Sequence, residues 1–472
     1  MAQAIHENDP HSGFYPLQLA LDGFSVATRW NELQTRHEGV RRFPCYPAEL
    51  SVWQQVNSEL KTCENIHHRF WWSRHSGRAL AVLLHNARYS PDTQYRDLKF
   101  FAEVVAPHLG VSHEPGVERG TSPWQSFMTD DGTPVELSWD WGTKDSPPTI
   151  RYSIEPIGLH AGTSLDPHNL AVGSEFQNQL LRYLPEMKLE LFRHFISFFN
   201  GHVDHDVEPK GDEGDHQSSI FYAFDLAPTE ITAKVYFFPK MRARAYNQSN
   251  LQVILQAIDS IPGVTSENLE ACSVFRDFAS DVANKNLEYE MLAIDLIDPK
   301  KSRLKVYFRS RDTTFNSVIN IMTLGGRLRN SRLYLGLVDL HWLWKALFKA
   351  YGSLDQPLGD STHRTAGILY NVEFRLGDSA PVAKIYLPVR HYSSSDAAVI
   401  QGLNDYFQYR QRGRYMPDYV KAMSTLFTAG LMKAQSGVQT YVGCAIRPDG
   451  TLRLISYFKP QISELFGDED GT

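Results

Sequence analysis

Five short phrases recur along this 472-residue chain: TIRYSIEP at 149–156, TAKVYFFP at 232–239, SRLKVYFRS at 302–310, VAKIYLPV at 382–389 and RLISYFKP at 453–460. Aligned, they place Arg151, Lys234, Lys305, Lys384 and Ile455 in one column. Ser153, Tyr236, Tyr307, Tyr386 and Tyr457 fill the column two residues on, while Arg303 and Arg453 stand two residues before the first column. The β-branched and aromatic content marks each phrase as a strand, and a period of two puts both columns on one face. One such strand alone would be an ordinary half-buried strand with its lysines in water. Five recurrences argue for an inward face, where so many cations require an anion of comparable charge, and a diphosphate held by charge-assisted contacts fits. The interleaved tyrosines can stabilise a carbocation through their π faces and exclude water that would quench it. Cations for a diphosphate beside aromatics for an allylic cation describe prenyl transfer.

Isoprenoid chemistry that uses magnesium holds the ion on aspartate-rich DDxxD or NDxxD motifs, and the sequence has neither. Asp130 and Asp131 run into Gly-Thr-Pro and read as a hairpin turn; Asp204, His205 and Asp206 sit in the polar stretch GHVDHDVEPKGDEGD and read as solvated. The lysines and arginines are expected to replace the metal, so no metal site is assigned.

These strands need partners. Upstream of each phrase lies a second strand joined by a turn-rich loop: PVELSWDW, SIFYAFDL, MLAIDL, ILYNVEF and TYVGCAI. Each pair is a hairpin. Between hairpins lie helical patterns at 179–199, 248–260, 336–351 and 416–435, with Leu337, Leu340, Trp344 and Leu347 forming one apolar stripe. Ten antiparallel strands could form an open sheet, but closure removes the exposed edges. The expected fold class is therefore α+β: a ten-stranded antiparallel β-barrel of five αββα repeats surrounded by helices. A single domain over 1–472 is expected, with an N-terminal helical region at 1–110 and the five hairpin repeats at 130–460. Trp139 and Trp141 are assigned to core or barrel-end packing rather than to a pocket.

With 42% hydrophobic and 21% charged residues the chain can bury a large core, and its net charge of −7 speaks against broad attraction to nucleic acid or anionic membrane. Cys45, Cys63, Cys272 and Cys444 are far apart and suggest neither a disulfide framework nor a zinc site. The polar N-terminus and the lack of a long apolar run lead us to expect a soluble, cytoplasmic protein.

In order and spacing, the phrases resemble the fungal dimethylallyltryptophan synthase-like family of aromatic prenyltransferases over about residues 65–460. The resemblance includes HHRFWWSRHSGRALAVLLHNARYSPDTQYRDLKFF at 67–101, GTPVEL at 132–137 and TYVGCAI at 440–446 as well as the repeated phrases. It implies a barrel of repeated αββα units. It further implies that Arg151, Lys234, Arg303, Lys305 and Lys384 bind the diphosphate and that Tyr236, Tyr307, Tyr386, Tyr441 and Tyr457 shield the prenyl group. Several members carry Gln at the position of Lys384. Glu136 resembles the family glutamate that accepts the indole N–H, and its otherwise apolar strand would make an unpaired carboxylate costly. No cofactor is implied beyond dimethylallyl diphosphate, or a longer allylic diphosphate, as co-substrate, with magnesium not essential. The implied partners are that diphosphate and a small aromatic acceptor, without nucleic acid or membrane; a homodimer is compatible with the sequence.

Two departures bear on the acceptor. Members that prenylate free tryptophan carry a lysine in the first strand of the second hairpin, where SSIFYAFDL offers Phe221 and Tyr222. The strand LEYEMLAIDL has no arginine to pair with an amino-acid carboxylate. Both absences point to a tryptophan-containing cyclic dipeptide or another indole without a free carboxylate. The alternatives are a phenolic acceptor such as tyrosine or a xanthone, and a non-catalytic barrel that binds an anionic lipid or phosphorylated metabolite.

Overall fold

The computed structural model describes residues 50–60, 65–112, 124–143, 146–201, 216–427, 432 and 437–460. Cys45, Cys63, the Asp204–His205–Asp206 stretch and the first 49 residues of the N-terminal region lie outside the described residues. Ten strands follow in hairpin pairs: β1 (Val135–Asp140) and β2 (Thr149–Ile154), β3 (Ile220–Leu226) and β4 (Ile231–Phe237), β5 (Glu288–Asp295) and β6 (Leu304–Ser310), β7 (Ile368–Phe374) and β8 (Val382–Leu387), β9 (Gln439–Ile446) and β10 (Leu452–Phe458). Each pairs antiparallel with its neighbours in sequence, and β10 pairs with β1 to close the barrel. Turn chemistry supports the hairpins: between β9 and β10 the Gly450 N–H donates to the Arg447 carbonyl at 2.8 Å with φ at +87°, a left-handed conformation that glycine adopts without strain.

The helices lie where the apolar periodicity places them, with two refinements. The pattern at 179–199 is broken into Val172–Tyr183 and Glu190–Asn200. Pro185 lacks an N–H and disfavours helical backbone at Leu184, which leaves the helix at φ −125° and ψ 65°. Helices also form at Glu270–Ser280, Phe315–Met322 and Asp396–Tyr409, beyond the segments named from the sequence. The other expected segments become Asn250–Asp259, Ser331–Phe348 and Met416–Leu426. The first is closed by a capping box in which Ser249 and Gln252 satisfy each other's backbone N–H. Among the described residues no helix is long and apolar enough to cross a membrane.

The apolar core lies outside the barrel. Strand residues at alternate positions, such as Leu137, Trp139, Ile150, Tyr152, Phe224, Val235, Leu292, Val306, Tyr370 and Ile385, are buried between the sheet and its helical coat. Leu337, Leu340, Trp344 and Leu347 face them from Ser331–Phe348. Trp139 and Trp141 belong to this layer: both rings pack on Tyr419, and the Trp141 Nε1–H donates to Ser456 Oγ at 3.0 Å.

Because this outer layer supplies the apolar burial, truncating it should unfold the barrel. Phe224 is fully buried, its ring 5.2 Å from both Phe100 and Tyr152. Phe224→Ala is expected to cost about 3–5 kcal/mol, read as a lower denaturant midpoint, whereas the lumenal Tyr307→Phe should shift it by under about 1 kcal/mol.

Candidate active site

With the outward positions taken by the core, the repeated columns point into the lumen. The strands slip by two residues per hairpin, as barrel closure requires, so equivalent residues of the five hairpins lie at equal heights. Each column cation faces a small or short polar residue within its own hairpin and a residue of the next hairpin on its other side: Lys234 pairs with Ala223 and Asp295, Lys305 with Ala293 and Glu373, and Arg151 with Ser138 and Asp225. The lumen is therefore built of stacked rings. From bottom to top these are Arg303 and Arg453; the acids Asp140, Asp225, Asp295 and Glu373; the cations Arg151, Lys234, Lys305 and Lys384; the small ring Ser138, Ala223, Ala293, Asn371 and Gly443; and the tyrosines. At Gly443 a Cβ would come within 3.0 Å of the Tyr457 ring and 3.3 Å of Tyr386, so glycine is what lets those rings close in.

The four tyrosines form an arc. Ring centroids are 5.7 Å apart for Tyr236 and Tyr307, 5.9 Å for Tyr307 and Tyr386, and 5.9 Å for Tyr386 and Tyr457. The Asn371 Nδ2–H donates to the Tyr386 hydroxyl at 3.0 Å. The fifth position is Ser153, paired directly with Glu136, so the arc is open on the side where Glu136 sits. Tyr441 packs with Met291 against the Ala293, Tyr307 and Leu369 cluster above the ring.

Among the described residues, each cation that lines the cavity already has a carboxylate. Lys234 Nζ lies 2.5 Å from Asp225, Arg303 Nε 2.7 Å and Lys305 Nζ 2.6 Å from Asp295, Lys384 Nζ 2.6 Å from Glu373, and Arg453 2.6 Å from Asp140, which also pairs with Arg151. Burial alone would raise these acids, yet Lys234 and Arg151 hold the Asp225 carboxyl, and Lys305 and Arg303 the Asp295 carboxyl, well below the usual carboxylate range. Burial pushes the ammonium of Lys234 down to about 7 and that of Lys384 to about 8, against the pull of their acids. The cavity left between the rings is about 100 Å³. That is smaller than the roughly 300–1,000 Å³ of typical ligand sites, so an occupant must part some of these contacts.

Glu136 lies above the serine gap. Its Oε1 accepts from the Thr440 hydroxyl at 2.7 Å, and burial pushes its carboxyl up to about 7 against that hydrogen bond. Thr440 reaches it because β9 bulges opposite Ser456–Phe458, which breaks the alternation of inward and outward residues there.

At the same end the segment 124–133 spans the barrel mouth. The Ser126 and Ser218 hydroxyls and the Trp124 indole N–H donate to the buried Glu155 carboxylate, Phe127 stacks on His216, Asp130 pairs with Arg390, and Asp131 pairs with Lys459 at 2.9 Å. Asp130 and Asp131 thus lie in a turn, but one that leads into β1 rather than joining two strands. His363 and His391 come near Asp130, yet Arg390 occupies that acid and burial with Arg390 depresses His391 to about 3. Arg309, two residues beyond Tyr307, is buried here, donating to Glu290 at 2.8 Å and to the Thr365 carbonyl at 2.8 Å.

Of the residues singled out from sequence, Arg151, Lys234, Arg303, Lys305, Lys384, Tyr236, Tyr307, Tyr386 and Tyr457 line one cavity; Tyr441 and Glu136 lie above it. Sequence reasoning missed the acids, although Asp140, Asp225, Asp295 and Glu373 recur at one place in the first strand of four hairpins. It also missed Thr440, which only the bulge turns inward, and Arg309.

A closed ten-stranded antiparallel barrel of αββα repeats coated by helices is the architecture of the ABBA prenyltransferases. Among solved structures, the chain is similar to AnaPT from Neosartorya fischeri, with a TM-score of 0.75, 25% identity and coverage of 87% of this chain and 98% of that one. It is also similar in fold to NotF in complex with brevianamide F and DMSPP, with a TM-score of 0.74, 23% identity and coverage of 87% and 99%. In sequence it is 35% identical to 4-O-dimethylallyl-L-tyrosine synthase of Claviceps purpurea, over 83% of this chain and 87% of that protein. Identity to 7-dimethylallyltryptophan synthase of Aspergillus fumigatus is 32%, over 83% and 85%. The profile of the tryptophan dimethylallyltransferase family matches residues 67–422. The chain belongs to that family of aromatic prenyltransferases.

Lysine charge is lost as pH rises through its folded pKa, and an anion in the lumen favours the charged form. Affinity for inorganic diphosphate should therefore fall as pH rises through about 7 to 8, where Lys234 and Lys384 titrate. Calorimetry at pH 6.5 and 9 checks this; Lys234→Gln should flatten much of the change.

Proposed function

We propose that the protein transfers a dimethylallyl group from its diphosphate to an aromatic acceptor, an indole in the first reading, without a metal ion. The observation that carries this is the stacking, inside one closed lumen, of a cationic ring beneath an arc of tyrosines whose gap opens toward Glu136. In this reading the diphosphate sits on Arg151, Lys234, Arg303, Lys305 and Lys384. The allylic C–O bond breaks with its electron pair going to the diphosphate, and the cations stabilise the charge that develops there. The tyrosine faces shield the allyl cation. The indole attacks across the Ser153 gap while ionised Glu136 accepts its N–H and stabilises the positive charge developing on the ring. The proton at the alkylated ring carbon then passes to the released diphosphate, and the C–H electron pair restores aromaticity.

Incubation with dimethylallyl diphosphate, a panel of indole and phenolic acceptors, and EDTA tests the reading: prenylated product despite chelation is expected. Strict loss of turnover restored by magnesium would overturn metal independence, and tight diphosphate binding without turnover would favour a binding barrel. Lys305→Ala should remove a charge-assisted contact of about 1.5–3 kcal/mol from diphosphate binding. Glu136→Gln should lower turnover with an indole acceptor by about 10²-fold while leaving donor affinity nearly unchanged. Because the carboxylate form is needed and forms above about 7, wild-type turnover should rise through that pH, and the rise should vanish in Glu136→Gln.

The Arg309–Glu290 pair favours a second reading of the acceptor. β5 lacks an arginine, but Arg309 on β6 reaches the same end of the lumen. A zwitterionic amino acid could insert between the two, its carboxylate on Arg309 and its ammonium on Glu290. The relatives named for tyrosine and tryptophan products support it. Arg309→Lys should raise KM for free tryptophan or tyrosine and spare a cyclic dipeptide; equal effects on both would remove this reading.

A further inference from the structure

The lumen contains as many problems for product departure as solutions for donor binding. Six cations, Arg151, Lys234, Arg303, Lys305, Lys384 and Arg453, surround the cavity. When the C–O bond breaks with its electron pair, the diphosphate gains a negative charge, so a bare cationic ring would hold the product more tightly than the donor. The ring is not bare. Asp140, Asp225, Asp295 and Glu373 lie between the column cations and the lower arginines, and each contacts at least two of the six: Asp140 takes Arg151 and Arg453, Asp225 takes Lys234 and Arg151, Asp295 takes Lys305 and Arg303, and Glu373 takes Lys384 with Arg303 at 3.6 Å. The acids recur from hairpin to hairpin as regularly as the cations do. Only the fifth hairpin lacks both, with Ala445 and Ile455 in their places.

We propose that these four carboxylates are exchangeable counter-anions: they hold the cations in place in the empty lumen, yield them to the diphosphate, and reclaim them as inorganic diphosphate leaves. Their role is positioning and release rather than bond making. The small cavity fits this, because a diphosphate gains room and partners together by displacing carboxylates. The proposal rests on the reading that the diphosphate occupies this ring.

Asp140→Asn is the cleanest test, since both of its partners are arginines whose charge does not depend on the acid, and Asn Oδ1 can still accept the Gly142 N–H. Expected results are a fall of tenfold or more in the inhibition constant of inorganic diphosphate, a lower KM for dimethylallyl diphosphate, and a lower kcat with a pre-steady-state burst of prenylated product. Damage to the site would weaken diphosphate binding, the opposite sign. Should Asp140→Asn not fold, Glu373→Gln carries the same expectations. Weakened or unchanged diphosphate binding in a folded variant overturns the proposal. Lys305→Ala, run in parallel, separates the two readings: if it leaves diphosphate affinity unchanged, the ring is not the donor site and the reading beneath the proposal fails as well.

Discussion

Everything about this barrel follows from putting charge where a protein normally puts its core. A cation withdrawn from water without a partner is prohibitively costly, so a lumen lined with lysine and arginine can exist in the empty protein only if carboxylates accompany it. The ion pairs are thus a condition of the fold as well as a property of the site. They determine that the inner face of the first four hairpins is largely polar, and hence that the apolar burial needed for stability must be found outside, between the sheet and its helices.

That inversion explains the composition of the strands. On their outer face they carry the valines, leucines and aromatics of an ordinary core; on their inner face charged, small and tyrosine residues succeed one another with height. The small ring makes space, and the tyrosines above it are drawn close by Gly443 and Ala293. The lumenal side chains are thus positioned by the strands themselves rather than by distant loops.

The barrel was legible in the sequence because its signal is repeated five times: Lys234, Lys305 and Lys384, each followed two residues later by tyrosine, cannot be read as isolated surface strands. The grouping of the candidate residues on one face follows from period two, and their inward orientation from the recurrence of cations on that face. What could not be read was pairing across hairpins. Asp225 is adjacent in sequence to Leu226 and distant from Arg151, and only the register brings it to that guanidinium. Thr440 was hidden for another reason, since a bulge defeats the alternation on which such readings depend. The helix at 179–199 was misjudged in extent because apolar periodicity continues across Pro185 even though the backbone cannot.

The five hairpins are nearly equivalent, and a perfectly fivefold lumen would offer an acceptor five identical bearings. Ala445 and Ile455 break that equivalence at the cation level, and Ser153 breaks it at the level of the tyrosines. By leaving one segment of the tyrosine arc unbuilt beside Glu136 on β1, Ser153 gives the cylinder a clock position. On the proposed reading, an acceptor seated there would present a fixed edge to the allyl cation, and which ring atom is alkylated would become a question of how the acceptor is rotated about a single window.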